Sequence, residues 1–478
     1  MNYKSTRSKN KINDASAIIK GLADDGGLYV FDEMPSIKIT DLENKSYQDI
    51  TLMVLQLFFT SFSKDELKRV IDEGYQTFNI NEVTNVKSFE NYGYLEQFHG
   101  PTLAFKDLAL SLFPGLLGLA MKHENYQDKI LIVTATSGDT GSAAMNAIAG
   151  KENIDIIVLY PNGGTSSLQK EQMQKIAADN VEAIGIYENF DKAQDLVKQL
   201  FDDKEFIDKL KSKNYQMSSA NSINIARLIP QVAYYIDAYL KLVRQDEIKM
   251  NDKIDIIVPT GNFGNILAGF IAKSMGVPID KITCVSNAND VIYKFFKTGV
   301  YDARRELLKT NTPSMDILIS SNLERFLYFI INDEEKIAEL MNNLKVYGFF
   351  KVDEDVLRKI NEEVVVSKSN DVMTKQAIWD EYKEHDYLID PHTATAKSIY
   401  LEKENYTLIL ATASPFKFGK TIKEALSLKS YDIENISEET KTELPEKLLE
   451  LKNKAIVSDK KLRIFDVRDY ILKKKVGV

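Results

Sequence analysis

LIVTATSGDTGSAAMNAIAG, residues 131–150, is the stretch that decides the fold. LIVTAT (131–136) is a short apolar and β-branched run, the mark of a buried strand. A glycine-bearing turn, SGDTG (137–141), ends it, and SAAMNAIAG (142–150) follows in strong helix formers. The pair recurs twice downstream. IDIIVLY (154–160) precedes SSLQKEQMQKIAA (166–178), and VEAIGIY (181–187) precedes DKAQDLVKQLF (191–201). Continuous apolar strands alternating with helices predict a parallel sheet covered on both faces, so the fold class is α/β.

Working outward, the spacing predicts a long helix from about Leu228 to Arg244, with Pro230 in its first turn where the missing N–H costs nothing. Val232, Tyr235, Ile236, Tyr239, Leu240 and Val243 form its apolar stripe. The strand–helix pattern resumes with IDIIVPT (254–260), GNFGN (261–265), ILAGFIAKSM (266–275) and KITCVSN (281–287). Residues 289–385 read as a mostly helical insertion or cap. TLILATAS (407–414) is a last strand before a helix near FKFGKTIKEAL (416–426), and the acidic stretch 432–454 reads as solvated loop and surface helix.

Composition narrows the function. The 478 residues are 44% hydrophobic and 27% charged, as in an ordinary globular protein of roughly two to four domains. A single cysteine, Cys284, excludes an internal disulfide and a cysteine-rich zinc site. His99, His123, His385 and His392 have no ligand spacing, so no metal is expected. The net charge of -9 offers no basic field for nucleic acid. No apolar run reaches the roughly 18 residues of a membrane span. The basic N-terminus, MNYKSTRSKNK, is not followed by an apolar signal-peptide core, and the expected location is the cytoplasm.

Five segments carry candidate chemistry. In FHGPTLAFKDLALSLF (98–113), Lys106 stands among apolar residues where an extended segment turns into a helix. Partial burial lowers a lysine pKa and supplies the neutral amine that Schiff-base formation needs. The same composition fits a lysine snorkelling from a half-buried helix end. In PTGNFGNILAGFIA (259–272), a buried strand meets a glycine turn and a helix, which presents backbone N–H groups and a helix dipole to an anion. Gly261 and Gly264 lack the β-carbons that would block a phosphate. TSGDTGSAA (136–144) repeats that layout with hydroxyls at Thr136, Ser137, Thr140 and Ser142, and Asp139 or Thr140 also suits an N-cap. NSINIARL (221–228) sets Asn221, Ser222, Asn224 and Arg227 before the long helix. That arginine suits a dianionic phosphate, or equally an ordinary ion pair. Thr412 and Ser414 close a buried strand at the edge where α/β sheets collect ligands.

Taken in order, YKSTR (3–7), GLADDGGLYV (21–30), HGPTLAFKD (99–107), TSGDTG (136–141), GNFGN (261–265), PSMDILISSNLER (313–325), DPHTATA (390–396) and TASPFKF (412–418) resemble the longer-chain branch of the threonine synthase family. The resemblance implies the fold type II architecture of tryptophan synthase β-subunit relatives: two open parallel-sheet domains plus an N-terminal helical region. It implies an N-terminal region at 1–92, a smaller mobile domain at 105–215, and a larger domain formed by 93–104 and 216–478. The cofactor implied is pyridoxal 5'-phosphate, carried by Lys106 as a Schiff base. Gly261, Asn262, Phe263, Gly264 and Asn265 would cradle its phosphate, and Thr412 would meet the pyridine nitrogen. Ser137, Asp139 and Thr140 would meet the substrate or the cofactor's phenolic oxygen, and Asn221, Ser222, Asn224 and Arg227 the substrate phosphate. Many relatives carry Asn at the place of Asp139, which leaves its partner open.

The implied reaction converts O-phospho-L-homoserine and water to L-threonine and phosphate, with Lys106 as general base. The expected partner is this small molecule, with no nucleic acid or membrane, in a monomer or homodimer. A serine or threonine dehydratase would use the same cofactor without a second phosphate site. A non-catalytic phospholigand-binding relative would have no use for Lys106.

Overall fold

The computed structural model describes residues 1–78, 83–136, 138–163 and 165–477. Two parallel sheets organise it. The smaller has five strands in the order Lys461–Leu462, Val181–Ile186, Ile154–Pro161, Lys129–Ala135 and Tyr215–Ser218, all parallel. The larger has six, in the order Val364–Lys368, Ile279–Ser286, Ile254–Pro259, Thr407–Ala411, Tyr92–Glu96 and Asn85–Ser88. All its pairings are parallel except the last, which is antiparallel. The apolar runs LIVTAT, IDIIVLY, VEAIGIY, IDIIVPT and TLILATAS therefore form strands, because only a sheet covered on both faces can bury every side chain of such runs.

Helix Pro230–Arg244 is buried on all sides from Pro230 to Leu242, rather than along one stripe. It packs against helices Tyr47–Phe58 and Gly264–Met275, and that enclosure explains why Asp237 and Lys241 pair within it at 2.8 Å. The N-terminal region combines helices Asp14–Lys20, Tyr47–Phe58 and Lys64–Tyr75 with a three-stranded antiparallel sheet. Arg7 ties it to the larger unit through a two-pronged contact with Glu324, at 2.8 and 2.9 Å.

Three segments behave differently from a simple linear division. Residues 289–385 are mainly helical but include Val364–Lys368, the edge strand of the six-stranded sheet. The acidic stretch forms two helices, Ile433–Thr440 and Glu446–Asn453. The end of the chain returns to the smaller sheet: Lys461–Leu462 pairs with Val181–Ile186. Val467, Ile471 and Leu472 of helix Val467–Lys475 are buried against Leu131, Leu159 and Phe206. One buried apolar cluster includes Ile130, Ile156 and Val158 of the smaller sheet together with Ile256, Ile282 and Leu408 of the larger.

Candidate active site

The carboxyl ends of both sheets open onto one cavity of about 560 Å³, the size of a small-molecule site and the usual place for one in open α/β sheets. Lys106 enters it at the head of helix Lys106–Leu110. The turn before it is set by Asp107, whose carboxylate accepts from Thr102 N at 2.8 Å and Thr102 Oγ1 at 2.7 Å. Gly100 is needed here, since a Cβ would lie 2.5 Å from that of Asp107. Phe105 N donates to Thr412 O at 2.8 Å, which brings Lys106 and Thr412 to the same wall. The Lys106 side chain is 13% exposed, and among the described residues its Nζ makes no hydrogen bond. Burial drives its pKa below the ordinary lysine value; Asp139 opposes that, while the positive charges of Arg227 and Lys417 add to it.

Asp139 stands opposite, with Oδ2 3.8 Å from Lys106 Nζ. Its Oδ1 meets Lys417 Nζ at 2.8 Å and accepts from Gln169 Nε2 at 2.8 Å, and Oδ2 accepts from Ser314 Oγ at 3.2 Å. Burial alone would raise its pKa, but the two lysines outweigh this and hold the carboxyl far below the usual range. Neither Asp139 nor Thr140 caps the helix. The N-cap is Gly138 at φ 153, without a side-chain cap, and Thr136 Oγ1 takes the N–H groups of Gly138 and Gly141, each at 3.0 Å.

The GNFGN turn follows strand Ile254–Pro259 and opens helix Gly264–Met275. Phe263 is left-handed, at φ 62, and gives that helix no side-chain cap. The leading N–H groups therefore remain available to an anion in the cavity. A Cβ on Gly261 would lie 2.8 Å from the Ser314 carbonyl oxygen. The Asn265 side-chain oxygen is already taken by the hydroxyls of Tyr234 at 2.6 Å and Tyr235 at 2.8 Å.

Arg227 supplies the positive wall. It is 4% exposed and lines the cavity. Its Nη1 donates to Ala220 O at 2.7 Å, while its Nε is buried without a hydrogen-bond partner. No carboxylate pairs with it among the described residues, and burial pushes its pKa down to about 10. Asn221, Ser222, Thr140, Asn262 and Thr412 also line the cavity.

Twelve of the fourteen residues singled out from the sequence thus meet at one cavity. Asn224 does not line it. Its amide nitrogen donates to the carbonyls of Ile18 at 3.0 Å and Ser219 at 3.1 Å, and its oxygen caps Ala226 N, so it braces the turn below the site. Ser137 lies outside the described residues.

The geometry agrees with what the chain is similar to. Residues 2–75 match the family model described as threonine synthase N terminus, and residues 92–403 match that of pyridoxal-phosphate dependent enzyme. A threonine synthase of Schizosaccharomyces pombe is 37% identical over 468 residues, covering 89% of this chain and 90% of that one. A pyridoxal-phosphate-bound threonine synthase structure from Brucella melitensis superposes with a TM-score of 0.89 at 36% identity, covering 99% of each chain. The yeast threonine synthase structure gives 0.89 at 33% identity, over 100% of this chain and 99% of that one. The chain belongs to the threonine synthase family.

Within this threonine synthase framework the cavity fits the family's cofactor. It offers a half-buried lysine that makes no hydrogen bond among the described residues, an uncapped helix N-terminus, and a glycine where a Cβ would strike backbone. Sequence reasoning missed Lys417, Gln169 and Ser314, which all bear on Asp139. Lys417 had one signal: a lysine between Phe416 and Phe418, directly after a buried strand. Ser314 lies in the PSMD stretch that the family resemblance includes, but Gln169 had no signal, because only tertiary packing brings it close. His392 also borders the cavity, accepting from Ser314 N at Nε2 (3.2 Å) with Nδ1 on Asp390 (2.9 Å), so both nitrogens are engaged in holding the 313–316 segment. His99 pairs with Glu96 at 3.1 Å and stays outside the cavity.

Proposed function

We propose that the protein converts O-phospho-L-homoserine and water to L-threonine and inorganic phosphate, with Lys106 bearing pyridoxal 5'-phosphate. Arg227 is the observation that carries this reading. A buried guanidinium with an unfilled Nε and no carboxylate partner among the described residues calls for an anion in the cavity. The uncapped helix at Gly264 already suits one phosphate. Arg227, with Asn221 and Ser222 beside it, suits a second, and the substrate brings one. A dehydratase needs no such site.

When bound, the cofactor serves as the sink for electrons released at the substrate carbons. Lys106 would act as the general base at the α-carbon and then at the β-carbon. The bond from the γ-carbon to the phosphate oxygen breaks, and the oxygen of water bonds to the β-carbon. The two protons taken from the α- and β-carbons are made up by one delivered to the γ-carbon and one to the α-carbon. Arg227 holds the departing phosphate. Thr412 offers the ring nitrogen a neutral hydroxyl rather than a charge. Asp139 is a fixed negative charge near Lys106, because its lysine neighbours keep it from taking up a proton.

The same proposal places the protein in the cytoplasm, in keeping with its one buried, unpaired cysteine, as a monomer or homodimer. It assigns the unit around the five-stranded sheet to movement against the rest, with Asp139 and Ser314 meeting across the boundary. The test is product analysis of the cofactor-loaded protein. Equimolar L-threonine and phosphate from O-phospho-L-homoserine is the expected result. A keto acid formed from L-threonine, with no phosphate released from O-phospho-L-homoserine, would replace this reading with the dehydratase.

A further inference from the structure

Nothing in the proposed reaction uses Lys417, yet its side chain is fully buried beside the reacting lysine's carboxylate partner. Lys417 Nζ lies 2.8 Å from Asp139 Oδ1 and donates to Thr102 O at 2.6 Å. Asp139 thus has an ammonium on each side, Lys417 in direct contact through Oδ1 and Lys106 at 3.8 Å from Oδ2. The charged groups facing Lys106 are Asp139, Arg227, Lys417 and Asp107. Lys417 follows strand Thr407–Ala411 of the six-stranded sheet, whereas Asp139 opens helix Asp139–Ile148 over the five-stranded one.

A buried carboxylate next to a single ammonium closes to direct contact, near 2.8 Å, because only a short charge-assisted bond offsets the loss of water. Lys106 stands outside that range, and the direct contact goes to Lys417 instead. We propose that Lys417 is a positioning residue: by taking the direct ion pair with Asp139, it holds that carboxylate off Lys106 and leaves the Lys106 amine free to attach the cofactor and to carry protons. The proposal rests on Lys106 being the cofactor-bearing lysine. Lys417 itself touches no reacting atom. Its charge also lowers the proton affinity of Lys106, in the same direction as burial.

The test follows cofactor uptake by the apoprotein, measured as growth of the visible band after adding pyridoxal 5'-phosphate across a pH series. Uptake requires the neutral amine of Lys106. In Lys417→Met, Asp139 turns to Lys106, and the pH of half-maximal uptake rate rises by about one to three units. Lys417→Gln, which keeps a neutral donor for Asp139 and Thr102 but no charge, shows a smaller rise in the same direction and secures the test where the methionine variant does not fold. In the Asp139→Asn background, Lys417→Met moves the midpoint much less, by the direct effect of the lost charge alone. A slower uptake with an unmoved midpoint would overturn the proposal, since that is what a merely structural role produces. An equal shift in the Asp139→Asn background would also overturn it, because Lys417 would then act without Asp139. Wild-type apoprotein forming no band at any pH would overturn the assignment of Lys106 on which it stands.

Discussion

Replacing Arg227 with methionine removes a buried cation that has no carboxylate partner among the described residues. The free protein loses one hydrogen bond, from Nη1 to Ala220 O at 2.7 Å. Leaving that carbonyl unpaired costs about 1–3 kcal/mol. Against this, an uncompensated buried charge costs several kcal/mol even after relaxation. The folded apoprotein should therefore be as stable as wild type or more so, and thermal unfolding without ligand reads this directly. Binding of the phosphorylated substrate should suffer. Two charge-assisted bonds to phosphate contribute about 3–6 kcal/mol together, so kcat/KM for O-phospho-L-homoserine should fall about 10²- to 10⁴-fold. Uptake of pyridoxal 5'-phosphate should persist, because the proposed seat of the cofactor phosphate is the separate helix end at Gly264. A stable Arg227→Met protein with wild-type kcat/KM would refute the second phosphate site. A variant that fails to fold would refute the charge reasoning and make Arg227 a structural residue.

Gly261→Ala should weaken cofactor affinity, since its Cβ would stand 2.8 Å from a backbone carbonyl oxygen that has no flexible side chain to yield. Overpacking of this kind costs about 1–3 kcal/mol, to be read by spectroscopic titration of the apoprotein with pyridoxal 5'-phosphate. Cys284 is buried, and burial pushes its thiol up to about 12, with Thr260 pulling the other way. Its raised folded value gives stability that is complete below about pH 9, where the unfolded thiol ionises, and lost as pH climbs toward about 12. Native protein should leave this thiol unlabelled by a thiol reagent at pH 8, with labelling appearing only on unfolding.

The elements whose signals are local were legible in the sequence. LIVTAT, IDIIVLY, VEAIGIY, IDIIVPT and TLILATAS are mostly apolar because both faces of their sheets are covered, and GNFGN follows its strand and opens its helix. Strands Tyr215–Ser218 and Val364–Lys368 were not read, being short and partly polar at the edges of their sheets, where one side is unpaired. The return of Lys461–Leu462 to the first sheet depends on a pairing across more than 270 residues and leaves no local trace. The site divides in the same way. Lys106, the glycine turn, Arg227 and Thr412 each follow or precede a recognisable element. Asn224 has the right residue type in the right strip, but its side chain satisfies the backbone of its own turn and of Ile18. Lys417 acquires a role only when the segment after strand Thr407–Ala411 packs against Asp139, and Gln169 only when its helix packs against the helix that Asp139 opens.

The most direct test of the central claim is reduction of the cofactor-loaded protein with borohydride, followed by peptide mapping. The pyridoxyl group should be found on the peptide containing Lys106 and be absent from Lys106→Ala. An adduct on another lysine such as Lys417, or no adduct in a protein that shows the visible band, would contradict the account.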